Sequence, residues 1–238
     1  MKKDMIFNHY YSMVRKYGLV SLSGARLRYN LNNLFQGVSF EGKRMLDVGA
    51  GSGLFSLYGA CMGAKTVVAL EPQSEGSIKG SSDKLEALKA IFKNIQVERV
   101  TFQEFDAGGD MFDIILLHNS INHLDEEACI ALQYSEDARN SYRLIFKKLG
   151  KIAAPGARLI LCDCSKCNLF ASLKIRNPLV PTIEWHKHQP PEVWRDMLLE
   201  YGFGKAKISW IPFGISGNLG KVIGYFTISH FCLDMEKE

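Results

Sequence analysis

MLDVGAGSGLFS, residues 45–56, is the stretch of this chain that decides its fold. An apolar run leads into glycines at every second position, Gly49, Gly51 and Gly53, and a new apolar segment begins at Leu54. Glycine adopts the positive φ angles of tight turns, and its bare backbone lets a ligand approach closely. The N–H groups at the start of the next helix would then face that ligand. The stretch therefore predicts a buried strand, a ligand-binding turn and a helix.

Outward from this turn, strand-like apolar runs alternate with helix-like segments. The predicted strands are Lys43–Val48, Thr66–Leu70, Val97–Phe102, Phe112–Leu117 and Ala157–Cys162, the last entered through a turn at Pro155-Gly156. The predicted helices are Leu54–Met62, Ser82–Phe92 and Glu126–Leu149. Near-continuous apolar strands that alternate with helices indicate a parallel sheet covered on both faces. Right-handed crossovers make such an α/β sheet doubly wound.

The C-terminal part of the chain predicts a different arrangement. Pro190–Tyr201 has the pattern of a helix with proline at its start. Lys205–Trp210 and Tyr225–Phe231 have the pattern of two further strands, joined by the glycine-rich stretch Phe213–Gly224. Two late strands so close in sequence indicate an antiparallel pair at the edge of a mostly parallel, seven-stranded sheet.

Composition and charge narrow the class of protein. The net charge is +4, and the hydrophobic content of 47% is ordinary for a globular protein. No apolar run reaches the ~20 residues of a membrane span, and the N-terminus lacks the pattern of a signal peptide. We therefore expect a cytoplasmic protein with reduced cysteines and no membrane partner; no pattern indicates nucleic-acid binding. The expected organisation is one domain, residues 43–238, after an N-terminal helical extension, residues 1–42.

The spacing of the glycines distinguishes between ligand classes. A dinucleotide fingerprint would place its third glycine at Leu54, and no Lys-Ser/Thr pair follows as a P-loop requires. The stretch instead resembles motif I of Rossmann-like, class I S-adenosylmethionine-dependent methyltransferases, an acidic residue followed by G-x-G-x-G. The resemblance implies that Asp47 and the turn surround the methionine part of S-adenosylmethionine; a tight turn without a ligand is the alternative. The turn residues assigned to this cofactor are Gly49, Ala50, Gly51, Gly53 and Leu54.

The resemblance also implies contacts to the rest of the cofactor. Glu71 ends the run TVVALEP about 20 residues beyond the turn, where an acceptor-only carboxylate suits the two ribose hydroxyls. Pro72 follows it and is assigned to the same site. Many family members carry an acidic residue after the third strand, which binds the adenine amine, whereas this chain has Thr101 and then Phe102. We expect Phe102 to pack against the adenine ring, with Asp106 as an alternative polar partner.

The run FDIILLHNSINHL resembles motif IV of the same family. Ligands of open α/β sheets bind at the carboxyl ends of strands, so His118 and Asn119 are expected beside the glycine turn, near the methionine end of the cofactor or the acceptor. An acceptor hydroxyl or amine can need a general base. We expect His118 in that catalytic role, with His123, one helical turn further on, as a second catalytic candidate. His186 and His188 are the alternatives.

The fifth strand and the segments around it predict the acceptor side. Asp163 and Asn168, in a run that resembles the next family motif, are expected to line it. In the family, an extension such as residues 1–42 commonly forms a lid. The nearby C-x-C-x-x-C run offers three thiolates where a structural zinc site uses four ligands, so we expect no metal. Trp185, with the histidines after it, is expected either to form an acceptor wall or to pack the following helix.

These motifs together predict a function. We expect an S-adenosylmethionine-dependent methyltransferase that moves a methyl group to an oxygen or nitrogen of a small molecule or saccharide precursor. The alternatives are a cofactor-binding scaffold or regulatory protein without catalysis, and an RNA or protein methyltransferase, whose Asn/Asp-Pro-Pro-Tyr/Phe tetrapeptide is absent. A dinucleotide oxidoreductase is disfavoured by the glycine spacing. The sequence predicts no oligomeric state.

Overall fold

The computed structural model of the chain describes residues 2–72, 80–213 and 217–238. Its strands are, in chain order, β1 Arg44–Val48, β2 Thr66–Leu70, β3 Ile95–Glu98, β4 Phe112–His118, β5 Ala153–Cys164, β6 Phe203–Trp210 and β7 His230–Lys237. Its α-helices are α1 Lys2–Lys16, α2 Gly24–Leu34, α3 Leu54–Cys61, α4 Ser81–Ile91, α5 Glu126–Ala131, α6 Glu136–Ile152, α7 Leu169–Ser172, α8 Pro191–Leu199 and α9 Gly217–Thr227. Short 3₁₀ helices lie at Ile121–His123 and Trp185–Lys187.

Seven strands of the described residues form one sheet in the order β3-β2-β1-β4-β5-β7-β6. β2 runs parallel to both β1 and β3, whereas β7 runs antiparallel to both β5 and β6. The predicted doubly wound, mostly parallel sheet with an antiparallel edge is therefore confirmed. Val48 of β1 pairs with Leu70 of β2, so these two strands end level with each other. The glycine turn and Glu71 consequently leave the sheet at the same edge.

The chain forms two compact units, one ending at Leu116 and the other beginning at Leu117. In the first unit the N-terminal helix α1 packs on α3. The Tyr10 hydroxyl donates a hydrogen bond to the carbonyl of Leu54 at 3.4 Å, and its ring lies 5.2 Å from the ring of Tyr58. Helices α1 and α2 confirm the predicted helical extension, while its boundary at residue 42 and its role as a lid stay predictions.

In the second unit an aromatic cluster packs α8 against α6. Trp194 is fully buried, with its ring 4.9 Å from Tyr142 and 6.0 Å from Phe146. The Tyr142 hydroxyl donates a hydrogen bond to the carbonyl of Ile121 at 2.8 Å, which fixes the 3₁₀ turn after β4. No helix in the part of the chain that the structure describes is long and apolar enough to cross a membrane.

Two of the predicted elements in the middle of the chain were wrong in extent. The third strand is Ile95–Glu98 rather than Val97–Phe102, because the chain turns at Thr101, whose carbonyl accepts the N–H of Phe105 at 3.0 Å. The single helix predicted over Glu126–Leu149 is two helices, α5 and α6. Ser135 interrupts it because its side chain accepts the N–H of Ala138 and caps α6.

The predicted strand Tyr225–Phe231 was wrong at its start. Helix α9 continues to Thr227, and β7 begins only at His230, after Ser229 adopts a left-handed φ of 54°. Helix α9 also replaces most of the predicted glycine-rich connection Phe213–Gly224. Residues 214–216 of that connection lie outside the described part of the chain. The predicted turn at Pro155-Gly156 is instead part of the long strand β5.

Candidate functional site

The turn after β1 is built on left-handed glycines, as its spacing predicts. The φ angles are 74° at Gly49, 54° at Gly51 and 82° at Gly53. A Cβ atom at Gly53 would lie 2.6 Å from Leu85 and 2.9 Å from Leu88, so packing alone requires glycine there. A Cβ atom at Gly51 would meet no atom of the residues that the structure describes within 4 Å. The backbone of Gly51 therefore faces open space in which a ligand can approach it.

Glu71 lies directly beside this turn. Its Oε2 accepts a hydrogen bond from the N–H of Gly51 at 2.7 Å. The N–H groups of Gly49 and Ala50 both donate to the carbonyl of Leu70 at 2.9 Å. These bonds fasten the turn to the end of β2 and fix the direction of the carboxylate. The structure thus brings together two parts of the predicted cofactor site, the turn and Glu71, although 20 residues separate Gly51 from Glu71 in the sequence.

Asp47 is a buried carboxyl group at the end of β1. It is 1% exposed, and its Oδ2 accepts a hydrogen bond from the Ser56 hydroxyl at 2.6 Å. Burial, together with the negative charge of Glu71, raises the pKa of Asp47 to about 7. A positively charged ligand near the turn would stabilise the ionised carboxylate and lower this pKa.

The remaining cofactor candidates of the first unit lie at the borders of these elements. Leu54 begins α3, and Pro72 directly follows Glu71. The Thr101 hydroxyl donates a hydrogen bond to Glu104 Oε2 at 2.8 Å, and the ring of Phe102 is 2% exposed. Phe102 therefore belongs to the packed core at the turn after β3. The adenine contacts predicted for Thr101 and Phe102 stay predictions.

His118 and Asn119 follow one another at the end of β4. Asn119 adopts a left-handed φ of 54°, which is uncommon for a residue with a side chain and often marks a functional position. Its N–H donates to the carbonyl of Cys162 at 2.8 Å, and its Oδ1 lies 2.7 Å from His230 Nε2. Because an amide oxygen only accepts, His230 Nε2 carries a proton and donates it. The His230 ring lies 5.6 Å from the ring of His118.

His230 is a site residue that the sequence analysis missed, since it was placed inside an ordinary edge strand. Burial lowers the pKa of His118 to about 4. Burial, together with His118 and His188, lowers the pKa of His230 to about 3. Both imidazoles are neutral at pH 7, so they can form hydrogen bonds without carrying charge.

Asp163 is the acidic residue of this cluster. It is 1% exposed at the end of β5, and its Oδ1 accepts the N–H of Cys164 at 2.8 Å. The same Oδ1 lies 3.1 Å from His188 Nδ1. Its Oδ2 is buried and has no hydrogen-bond partner among the residues that the structure describes. The cluster therefore contains one buried carboxyl group that faces a histidine and keeps one acceptor atom available.

The position of His188 is fixed by the residue that follows it. Gln189 is fully buried, and its Nε2 donates to the carbonyl of Cys129 at 2.6 Å. Its Oε1 accepts a hydrogen bond from Gln133 Nε2 at 2.7 Å. Lys187 is held as well, because its Nζ lies 2.7 Å from Glu184 Oε2. The segment that carries His188 is thus bonded to α5 and the turn after it through the buried side chain of Gln189.

Other predicted residues of the second unit lie apart from these contacts. The His123 side chain is 61% exposed, and its Nδ1 lies 3.4 Å from Glu126 Oε2. Asn168 caps α7 through the N–H of Ala171 at 3.0 Å. The described residues contain no group of three or more histidine, cysteine, aspartate or glutamate side chains placed to hold a metal ion. The catalytic role of His123 stays a prediction.

Comparisons with known proteins identify the type of domain. A family model described as a methyltransferase domain matches residues 39–207. An S-adenosylmethionine-dependent methyltransferase from Archaeoglobus fulgidus is similar in structure, with a TM-score of 0.56 and 18% identity over 90% of this chain and 92% of that chain. One from Mesorhizobium loti gives a TM-score of 0.57 and 14% identity over 84% and 93% of the two chains. The N-methyltransferase NodS from Bradyrhizobium japonicum WM9 gives 0.53 and 13% over 89% and 91%. No curated protein matches the sequence.

Proposed function

Since the chain belongs to the methyltransferase-domain family, we propose that it moves a methyl group from S-adenosylmethionine to an oxygen or nitrogen of a small molecule or saccharide precursor. S-adenosylmethionine supplies this methyl group on a positively charged sulfur, which leaves as a neutral thioether. The protein is needed mainly to position the reactants and exclude water. The observation that carries the proposal is the hydrogen bond between Gly51 and Glu71, at a turn whose backbone faces open space.

The residues of the turn fit this cofactor. Glu71 is held at the turn by the N–H of Gly51, and a carboxylate accepts hydrogen bonds from the two hydroxyls of a ribose. The left-handed glycines leave room for the methionine part beside the backbone. The buried carboxyl of Asp47 suits a ligand that carries positive charge, because ionisation of Asp47 is costly without one.

The acceptor in this proposal is a small polar molecule. Support comes from the cluster at the end of β4, where His118, Asn119 and His230 present hydrogen-bonding groups that are neutral at pH 7. Such groups suit hydroxyl, amide or amine functions better than the phosphate backbone of a nucleic acid, which is bound by lysine and arginine. The resemblance implies that His118 and Asn119 approach the acceptor or the methionine end of the cofactor.

Calorimetry with S-adenosylhomocysteine and with NAD tests the cofactor. We expect micromolar or tighter binding of S-adenosylhomocysteine and none of NAD; binding of NAD alone would overturn the proposal. Transfer of a radiolabelled methyl group into fractionated cell extract tests the activity and separates the class of acceptor. Label in a small-molecule fraction supports the proposal. Label only in RNA or protein, or cofactor binding without any transfer, would favour the corresponding alternative.

A further inference from the structure

Three histidines of the second unit, His118, His188 and His230, have different neighbours. His118 and His230 have rings 5.6 Å apart, and His230 donates its Nε2 proton to Asn119. His188, in contrast, faces the carboxyl group of Asp163 at 3.1 Å. This carboxyl group is a partner that can stabilise a positive charge on the His188 ring.

The pairing of β5 and β7 brings these groups to one edge of the sheet. Asp163 pairs with Phe231, and Cys164 pairs with His230, across the antiparallel ladder. Because β7 runs antiparallel to β5, its first residues lie level with the carboxyl end of β5. His230 and Asp163 are consequently held by backbone hydrogen bonds rather than by mobile loops, which is how a precise polar site is built.

The Asp163 contact also fixes the protonation of His188. Oδ1 of Asp163 accepts the N–H of Cys164 and faces His188 Nδ1, and a carboxylate oxygen can only accept. His188 Nδ1 must therefore carry the proton, which leaves a lone pair on Nε2. A histidine oriented in this way by an aspartate is the arrangement that general bases use, since the aspartate stabilises the imidazolium that forms.

We propose that His188 removes the proton from an acceptor hydroxyl group, with Asp163 as the positioning residue, so that the methyl acceptor is an alcohol or a phenol. This inference rests on the proposed function. As the oxygen–methyl bond forms, the acceptor O–H bond breaks and its proton goes to His188 Nε2. The sulfur–methyl bond breaks at the same time, and its electron pair remains on sulfur. The positive charge lost by sulfur is then carried by the His188 imidazolium beside Asp163.

The chemistry of the acceptor follows from the need for such a base. An unprotonated amine attacks with its own lone pair and can release its proton afterwards. A neutral hydroxyl group is a weak nucleophile until a base accepts its proton. Asn119 and His230 complete the arrangement as a neutral hydrogen-bonded pair, with Nε2 and Oδ1 2.7 Å apart, that can orient the acceptor without competing for the proton.

Two variants and one control test the proposed pair of His188 and Asp163. We expect His188→Gln and Asp163→Asn to lower kcat by about 10²–10⁴-fold, the usual contribution of a general base. Their affinity for S-adenosylhomocysteine should remain within twofold of wild type. The control His9→Gln removes an exposed histidine of α1 and should retain wild-type turnover. The assay follows a ¹³C-labelled methyl group from S-adenosylmethionine into the extract fraction that the wild-type protein methylates, and NMR distinguishes O-methyl from N-methyl products.

Each outcome of these experiments decides between the two proposals. An O-methyl product together with the expected loss of kcat supports the pair. Wild-type turnover of His188→Gln, or an N-methyl product, would overturn the pair and leave the proposed function intact. A wild-type protein that does not bind S-adenosylhomocysteine would count against the proposed function itself.

A measurement on the unmodified protein remains decisive if a variant fails to fold. The ¹⁵N NMR spectrum of the whole chain should show His188 with its proton on Nδ1. A proton on Nε2 in the neutral ring would contradict the assignment. For His188→Ala, added imidazole should restore part of the lost turnover, because the small base can occupy the space of the deleted side chain.

Discussion

Glu71 and Gly51 are joined by a hydrogen bond of 2.7 Å from the backbone N–H to the carboxylate, although 20 residues separate them in the sequence. The bond exists because β1 and β2 are parallel neighbours that end level with each other. It holds an acceptor-only side chain at Gly51, where a Cβ atom would meet no described residue. The geometry proposed to bind the cofactor is therefore set by the sheet.

Substitution of Glu71 tests this relationship. We expect Glu71→Ala to weaken the binding of S-adenosylhomocysteine by about 1–3 kcal/mol, the scale of hydrogen bonds to a charged group. Calorimetry measures the change. The matched control is Glu98→Ala, which removes an exposed carboxylate at the end of β3. Equal affinities of the two variants would remove Glu71 from the cofactor site.

The glycines of the turn should respond differently to alanine. Gly51→Ala introduces a methyl group into open space at a φ of 54°, so we expect a loss of stability of only about 1–2 kcal/mol and a larger loss of cofactor affinity. Gly53→Ala places a methyl group 2.6 Å from Leu85 and should lower stability more. Thermal unfolding and calorimetry on both variants separate the two effects. Tight cofactor binding by Gly51→Ala would contradict a ligand at that glycine.

The sequence analysis was accurate where a local pattern determines the structure. The β1 turn and Thr66–Leu70 follow from apolar runs and glycine spacing, and β2 has the predicted bounds. The prediction from local pattern fails near Thr101, because the third strand ends earlier than its apolar residues indicate. A short edge strand is defined by its pairing with a neighbour, which composition does not reveal.

The polar cluster was harder to predict because it depends on contacts between distant segments. The contact between Asp163 and His188 joins residues 25 apart, and that between Asn119 and His230 joins residues 111 apart. His230 was missed because the preceding apolar residues have the composition of a strand, whereas α9 extends through them to Thr227. Only the antiparallel return of β7 brings His230 level with the end of β5.

The raised pKa of Asp47 predicts how stability depends on pH. In the folded protein this pKa is about 7, against 3.8 for an ordinary aspartate, so the native state holds a proton that the unfolded state releases. The contribution of Asp47 to stability is therefore present below pH 4 and is lost as the pH rises towards 7. We expect Asp47→Asn to remove this loss and to be more stable than wild type at pH 8. Denaturant unfolding at pH 5 and 8 measures the difference, and an identical pH dependence of the two proteins would contradict it.

The affinity for the cofactor should also depend on pH through Asp47, but it should rise with pH, whereas the stability falls. A ligand with positive charge favours ionised Asp47, so the affinity for S-adenosylmethionine, whose sulfur is positively charged, should rise between pH 6 and pH 8 and level off above the pKa of about 7. Asp47→Asn should bind more weakly and with little dependence on pH. Calorimetry in buffers of different ionisation enthalpy would detect the proton released on binding. Binding without proton release at pH 6 would show that the ligand does not interact with Asp47.

The buried histidines predict a loss of stability in acid. The pKa of His118 is about 4 and that of His230 about 3, both below the ordinary value of 6.5. Their contribution to stability is present above pH 6.5 and is lost as the pH falls towards 4 and 3, because the unfolded chain takes up the protons first. We expect His230→Gln to lose less stability than wild type between pH 7 and pH 4.5. Glutamine can still donate a hydrogen bond to Asn119, so stability at pH 7 should change little.

Gln189 offers a way to displace His188 without removing it. Its side chain bonds the carbonyl of Cys129 at 2.6 Å in a buried contact and the amide of the exposed Gln133 at 2.7 Å. Gln189→Leu keeps roughly the same volume but removes both of these hydrogen bonds, which should cost about 1–3 kcal/mol of stability. We also expect kcat to fall about tenfold or more while the affinity for S-adenosylhomocysteine is retained, since small displacements of a catalytic group are costly. Gln133→Leu is the matched control: it removes one of the two bonds and should give a smaller loss of both stability and kcat. Full turnover of Gln189→Leu at wild-type kcat would show that the placement of His188 does not depend on this buried amide.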